Sequence, residues 1–173
     1  QYPVERWNGG EVQLIRPSVI HLTRGQVFHI QGLTFFTMGG ARSYDITKEI
    51  LDPDEPGFNH RRKLLEIKGI AYRVKHHSWW PEEMPSHQEY QAALDNLEAC
   101  SWKVDYVVTH CCPTSLLQSV SDRPRQPDQL TDFLEVLAGR CQFRYWFFGH
   151  YHDNTSPRRK FALLYEQIWR LKS

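Results

Sequence analysis

Three histidines stand where apolar runs end. His110 closes Val107-Val108-Thr109, and His150 and His152 close Trp146-Phe147-Phe148 as Gly149-His150-Tyr151-His152. Imidazole is a ligand for zinc, manganese or iron, and two or three converging imidazoles are how such a site is built. If the backbone of the second motif is extended, residues i and i+2 project the same way, so His150 and His152 would face one site together. Gly149 is expected to remove a side chain where the loop turns. The remaining histidines read as bystanders. His21 and His29 lie in β-like text, His60 and His87 look solvated, and His76-His77 falls in a basic segment where a phosphate contact is conceivable. Cys111 and Cys112 follow His110 directly, but a Cys-His nucleophile also needs an oxyanion hole, and no segment announces one.

Elements must bring those histidines together, and the second half of the chain has the grammar for it. Ser86 and Glu89 have the spacing of a capping box, opening a helix to about Cys100 with Tyr90, Leu94 and Leu97 on one face. A strand over 104–109 follows, then a polar, proline-rich loop over 119–128. A helix over 130–137 comes next, with Gly139 as its expected C-cap. Strands over 145–148 and 161–165, the last extending through Ile168, complete an α/β alternation. Because these strands are apolar throughout, they are expected to be buried on both faces. In α/β sheets the strand ends are where polar groups from separate segments converge.

The first half reads differently. Short runs at 12–15, 19–22, 27–30 and 33–37, punctuated by Asn8-Gly9-Gly10, Arg24-Gly25 and Gln31-Gly32, predict an antiparallel meander. Gly39-Gly40 ends it where backbone would pass close to a neighbour. Residues 52–57 read as loop and 60–75 as a charged segment with a short helix. Trp79-Trp80-Pro81 would either line a substrate mouth or plug an insertion onto the core.

Bulk composition sets outer bounds. The 173 residues suit one domain, and 40% apolar with 13% aromatic residues marks a folded chain. A balance of 21 Lys plus Arg against 20 Asp plus Glu gives no electrostatic signal for nucleic acid, although a local basic patch is compatible with it. No apolar run is long enough for a membrane span. Cys100, Cys111, Cys112 and Cys141 lack paired CxxC spacing and read as reduced thiols of a cytoplasmic protein.

Together, Thr109-His110 and Gly149-His150-Tyr151-His152 resemble the strand-end histidine and the final Gly-His-x-His of the calcineurin-like metallophosphoesterases. Gly39-Gly40-Ala41, ahead of Ser43 and Asp45, is similar to the family's glycine-rich strand end. The resemblance implies an α/β fold, a two-sheet sandwich flanked by helices, of which residues 1–173 would be the C-terminal portion of a single domain. It implies two divalent ions (Mn, Fe or Zn), with His110 and His150 on one and His152 on the other. The implied reaction is hydrolysis of a phosphomonoester or phosphodiester by metal-activated water. The family's Asp-x-His, Gly-Asp and Gly-Asn-His are absent. Asn59-His60 lacks the preceding glycine, and Asp45 and Asp153 would support the site only indirectly. The expectation is therefore that an amino-terminal half carrying the carboxylates was cut, left out or deleted, and that this chain alone is weakly active or inactive. Two alternatives stand beside it. One is a non-catalytic structural or binding module whose open edges invite self-association or the missing half. The other is a mononuclear zinc hydrolase using His110, His150 and His152.

Overall fold

A computed structural model describes residues 2–43, 49–121 and 125–171. They cluster into two compact units, one of residues 1–41 with 85–173 and one of residues 42–84.

The larger unit holds two sheets. The smaller sheet pairs β1 (Val4–Trp7), β2 (Gly10–Arg16) and β3 (Val19–Leu22), antiparallel and in that order. The larger has six strands: β4 (Gln26–Ile30), β5 (Leu33–Met38), β8 (Tyr106–Thr109), β9 (Tyr145–Phe148), β10 (Thr155–Arg158) and β11 (Phe161–Leu163). Their order is β10-β11-β9-β8-β5-β4. The four central strands are parallel, and β4 and β10 run antiparallel at the edges. The chain is thus a mixed α/β protein. The expected meander is real in its hairpins, but it breaks between β3 and β4 and feeds two sheets. Alternation along a strand says which face is apolar and nothing about which neighbour it pairs with.

Helix α2 (His87–Ala99) begins in the expected capping box. Ser86 Oγ accepts from the Glu89 N–H at 3.2 Å, and the Glu89 carboxylate accepts from the Ser86 N–H at 2.7 Å. Its buried residues are Tyr90, Ala93 and Leu97, so Ala93 stands where Leu94 was expected. The helix lies against Gly25: a Cβ there would come within 2.7 Å of the Glu89 carbonyl oxygen and 2.9 Å of the Ala93 nitrogen. Gly25 also has a φ of +72°, so glycine is required twice over. Helix α3 (Gln129–Arg140) is capped by Asp128, whose Oδ1 accepts from the N–H groups of Leu130 and Thr131. Gly139 sits inside its last turn rather than capping it, because Cys141 turns straight into extended backbone. Tyr90 meets Phe133 edge-on at 4.7 Å and joins α2 to α3.

One face of the six-stranded sheet is closed. Phe36, Val107, Trp146 and Phe161 form a row across β5, β8, β9 and β11, each at most 6% exposed. The opposite face carries Phe35 stacked on Tyr106 and Tyr106 on Phe147, at 5.2 and 5.8 Å between centroids. That face is buried too at Tyr106, Phe147 and Ala162, against which Leu33, Phe35 and Leu164 pack, while Val108 is 40% and Tyr145 39% exposed. The central strands are thus buried along most of their length, as their continuous apolar sequence leads one to expect. After β11 the backbone leaves regular structure, with Ile168 fully exposed, so no strand extends through it.

The smaller unit comprises helix α1 (Phe58–Ile67) and a two-stranded parallel sheet of β6 (Ile50–Leu51) and β7 (Arg73–Val74). Ser43 donates to Glu83, Lys75 to Asp52 at 2.5 Å, and Trp80 is 44% exposed. Tyr44 and Asp45 lie outside the described residues. No helix among the described residues is long and apolar enough to cross a membrane.

Candidate metal centre

Parallel pairing of β8 with β9 puts their C-terminal ends side by side, in the register Tyr106↔Tyr145, Val107↔Trp146 and Val108↔Phe147. The backbone ladder continues past both strands. The His110 N–H donates to the Met38 carbonyl at 3.4 Å, and the Gly149 N–H donates to the His110 carbonyl at 3.1 Å. A buried side-chain relay fixes the same corner: Trp146 Nε1 donates to Thr109 Oγ1 at 2.8 Å, and Thr109 Oγ1 donates to the Cys111 carbonyl at 2.6 Å. His110 is therefore anchored by backbone and side chains on both sides.

His150 turns onto His110. Its Nδ1 lies 3.3 Å from His110 Nε2, and the rings meet edge-on with centroids 5.0 Å apart. The route to this pairing differs from the extended backbone expected from sequence. His150 has a φ of +70° and His152 a φ of +53°, and the Tyr151 N–H donates back to the Gly149 carbonyl at 2.9 Å. Two left-handed residues in three, neither of them glycine, are uncommon, and such strain clusters at functional sites. The turn sends His152 elsewhere: its ring stacks on Tyr165 at 5.1 Å with 22° between planes. Asn154 Oδ1 prepares that stack by accepting from the N–H groups of Tyr165 and Glu166. Gly149 is not sterically required, since a Cβ there would meet the Leu164 oxygen at 3.7 Å, an ordinary contact.

Burial holds the paired imidazoles in the neutral form. Desolvation is the largest cause for His150, assisted by His110, Arg125 and His152, and its pKa falls to about 4. His110 keeps an exposed edge, yet desolvation and then His152 lower its pKa as well. Neutral imidazole is the form that binds metal. Two nitrogens each about 2.0–2.1 Å from one tetrahedral ion stand about 3.3 Å apart, so the His110–His150 separation fits one such ion. Among the described residues, no group of three or more His, Cys, Asp or Glu is disposed to hold a metal ion. The donor set thus fits the imidazole share of a metal centre and not the carboxylate share of a dinuclear one.

Beside the histidines lies a cleft of about 470 Å³, with residues 118–121 and Arg125 on one wall and residues 151–153 on the other. Arg125 Nε donates to Ser121 Oγ at 3.3 Å, and its guanidinium sits over the Tyr151 ring at 5.6 Å. Asp153 lines the cleft and its Oδ1 accepts from the Asn154 N–H at 2.7 Å.

Cys111 and Cys112 are buried, and burial pushes their thiols up to about 12 and about 11. Cys112 Sγ donates to Tyr151 Oη at 3.2 Å. Neither thiol has the depressed pKa of a nucleophile. Among the other histidines, His21 Nδ1 lies 3.0 Å from Gln13 Oε1, and His76 Nε2 lies 3.2 Å from Glu82 Oε1. His29 is in β4, His60 in α1 and His87 opens α2. Sequence reasoning missed Arg125, Asn154 and Tyr165. Only the polar stretch around Arg125 and the turn-forming type of Asn154 hinted at them. Compared with protein-family models, curated proteins and solved structures, the chain matches none.

Proposed function

We propose that this chain carries the histidine-bearing part of a metal-dependent phosphoesterase of the calcineurin-like type, hydrolysing a phosphomonoester or phosphodiester. The observation that supports it best is the His110–His150 pair, 3.3 Å apart at the C-terminal ends of adjacent parallel strands. His110 and His150 would hold one divalent ion. A dinuclear centre would use His152 for a second ion, together with carboxylates beyond those the described residues bring to the site. A bound ion would supply a water acidified toward neutral pH and polarisation of a phosphoryl oxygen. The chain's own residues orient that chemistry: Thr109 and Trp146 hold His110 in place, and Tyr165 holds His152 beside the cleft. Four free cysteines suit a reducing compartment, and the cytoplasm is the proposed location.

Hydrolysis of p-nitrophenyl phosphate and of bis(p-nitrophenyl) phosphate, with zinc or manganese added, tests this reading. Weak turnover that disappears in both His110→Ala and His150→Ala is expected. Metal-dependent turnover that survives both substitutions would overturn it.

A second reading, a non-catalytic binding module, is favoured by apolar residues exposed on the sheet. Val108 on a central strand and the aromatic Tyr145 and Trp169 stand 38 to 40% exposed. A second copy of the chain would cover them on association. Absence of any metal-dependent turnover, together with concentration-dependent association in sedimentation experiments, would select this reading.

A further inference from the structure

We propose that Arg125 holds the phosphoryl group of a small, hydrophilic phosphate ester in the cleft beside His152, a proposal that rests on the phosphoesterase reading above. The cleft walls are the Gln118, Ser119 and Ser121 side chains on one side and His152 and Asp153 on the other, with Arg125 between hydroxyl and aromatic neighbours. Guanidinium presents planar, paired N–H donors that match phosphoryl oxygens, and it is weakly hydrated enough to exchange water for them. The backbone of Arg125 is tied to the same wall: Gln118 Nε2 donates to the Arg125 carbonyl at 3.2 Å, and both residues line the cleft. Tyr151 carries the Arg125 guanidinium on its ring, and it lies between His150 and His152 in the chain, so the bound anion would sit beside the imidazoles.

The same walls limit the ester's organic part. A volume of about 470 Å³ suits a small-molecule ligand, so the character of the lining rather than its size selects among esters. Of the rings lining it, Tyr151 lies under Arg125 and is met edge-on by His150 at 81° and by Phe148 at 77°, and His152 is stacked on Tyr165. Both rings are thus already engaged by the protein's own side chains. Asp153, the hydroxyls of Ser119 and Ser121, and the Gln118 amide are partners for hydroxyl groups and would repel a second phosphate near Asp153.

The test measures inorganic phosphate binding to the full chain by isothermal titration in the presence of chelator, so that no metal contributes. Arg125→Gln is expected to weaken phosphate binding at least about tenfold and Arg125→Lys less. Arg62→Gln, in helix α1 of the smaller unit, is expected to stay within about threefold of wild type. Glycerol 3-phosphate should displace inorganic phosphate at least as well as adenosine monophosphate does. Wild-type protein that binds no phosphate would overturn the proposal. So would Arg125→Gln protein with unchanged circular dichroism that binds phosphate like wild type. A strong preference for adenosine monophosphate would overturn the hydrophilic-ester assignment. Loss of binding in Arg125→Gln without any metal-dependent turnover in wild type would leave the anion site standing and remove the hydrolase reading. Turnover with an Arg125-independent KM would do the reverse.

Discussion

Replacing Thr109 with valine removes one oxygen atom from a site that is otherwise unchanged in shape. That oxygen accepts the Trp146 indole N–H at 2.8 Å and donates to the Cys111 carbonyl at 2.6 Å, where Thr109 is 7% exposed and Trp146 is fully buried. Valine satisfies neither group. A buried polar atom left unpaired costs about 1–3 kcal/mol, so two of them predict a loss of about 2–6 kcal/mol. For a chain of this length that corresponds to a fall in Tm of roughly 4–24 °C. Urea unfolding followed by tryptophan fluorescence measures the loss directly, and the slope m should not change. Thr109→Ser keeps the hydroxyl and should lose only about 1 kcal/mol for the methyl group. Because the relay ends on the residue after His110, Thr109→Val should also loosen the His110–His150 pair and weaken zinc binding. Valine within about 0.5 kcal/mol of wild type would refute the idea that this relay positions the strand end.

Other expectations are independent of that relay. Asp105, just before β8, ties β5 to the residue before β9, accepting from the Thr34 N–H and hydroxyl at 2.8 and 2.9 Å and pairing with Arg144 at 2.8 Å. The Thr34 N–H is the largest cause of its lowered pKa, opposed by desolvation and reinforced by the Thr34 hydroxyl and Arg144. A lowered folded pKa gives stability that is present above the unfolded value of about 3.9 and lost as pH falls through the folded value. Asp105→Asn should therefore destabilise by about 1–2 kcal/mol at pH 7 and converge on wild type in acid, as urea midpoints across pH would reveal. A pH-independent difference would contradict the assignment. Native protein treated with a thiol reagent at pH 8 should leave Cys111 and Cys112 unmodified until denaturant is added, as mass mapping would show. Rapid native labelling of either would mean the corner opens readily. Tyr90 Oη is buried with no hydrogen-bond partner among the described residues, so Tyr90→Phe should be neutral or stabilising by up to about 1 kcal/mol. A clear loss of stability would show that the hydroxyl is bonded in solution.

The parts legible in sequence were those written in local chemistry. Ser86 with Glu89 announces its own helix start, and His110 and His150 follow runs whose strand character does not depend on their neighbours. Less was legible where pairing or backbone hand decides the outcome. Nothing in the residues from Val4 to Met38 says that β3 and β4 part company into different sheets. Gly139 looked like a cap by type, but α3 ends one residue later because Cys141 is extended. The positive φ of His150 and His152 is invisible in residue type, since histidine is not the usual occupant, and it decides that His150 meets His110 while His152 meets Tyr165. Arg125 lies between a 3-10 helix at Thr114–Ser119 and α3, and its place at the cleft is a tertiary fact with no periodicity to betray it.

If His110 and His150 are metal ligands, as proposed, metal content must depend on both imidazoles. Wild type and His110→Ala/His150→Ala would each be incubated with zinc or manganese, cleared of excess ion and subjected to elemental analysis. The account predicts up to one zinc ion per wild-type chain, most of it lost in the double variant, and less than one manganese ion because imidazoles without carboxylates hold manganese poorly. Equal zinc in the two proteins would contradict it.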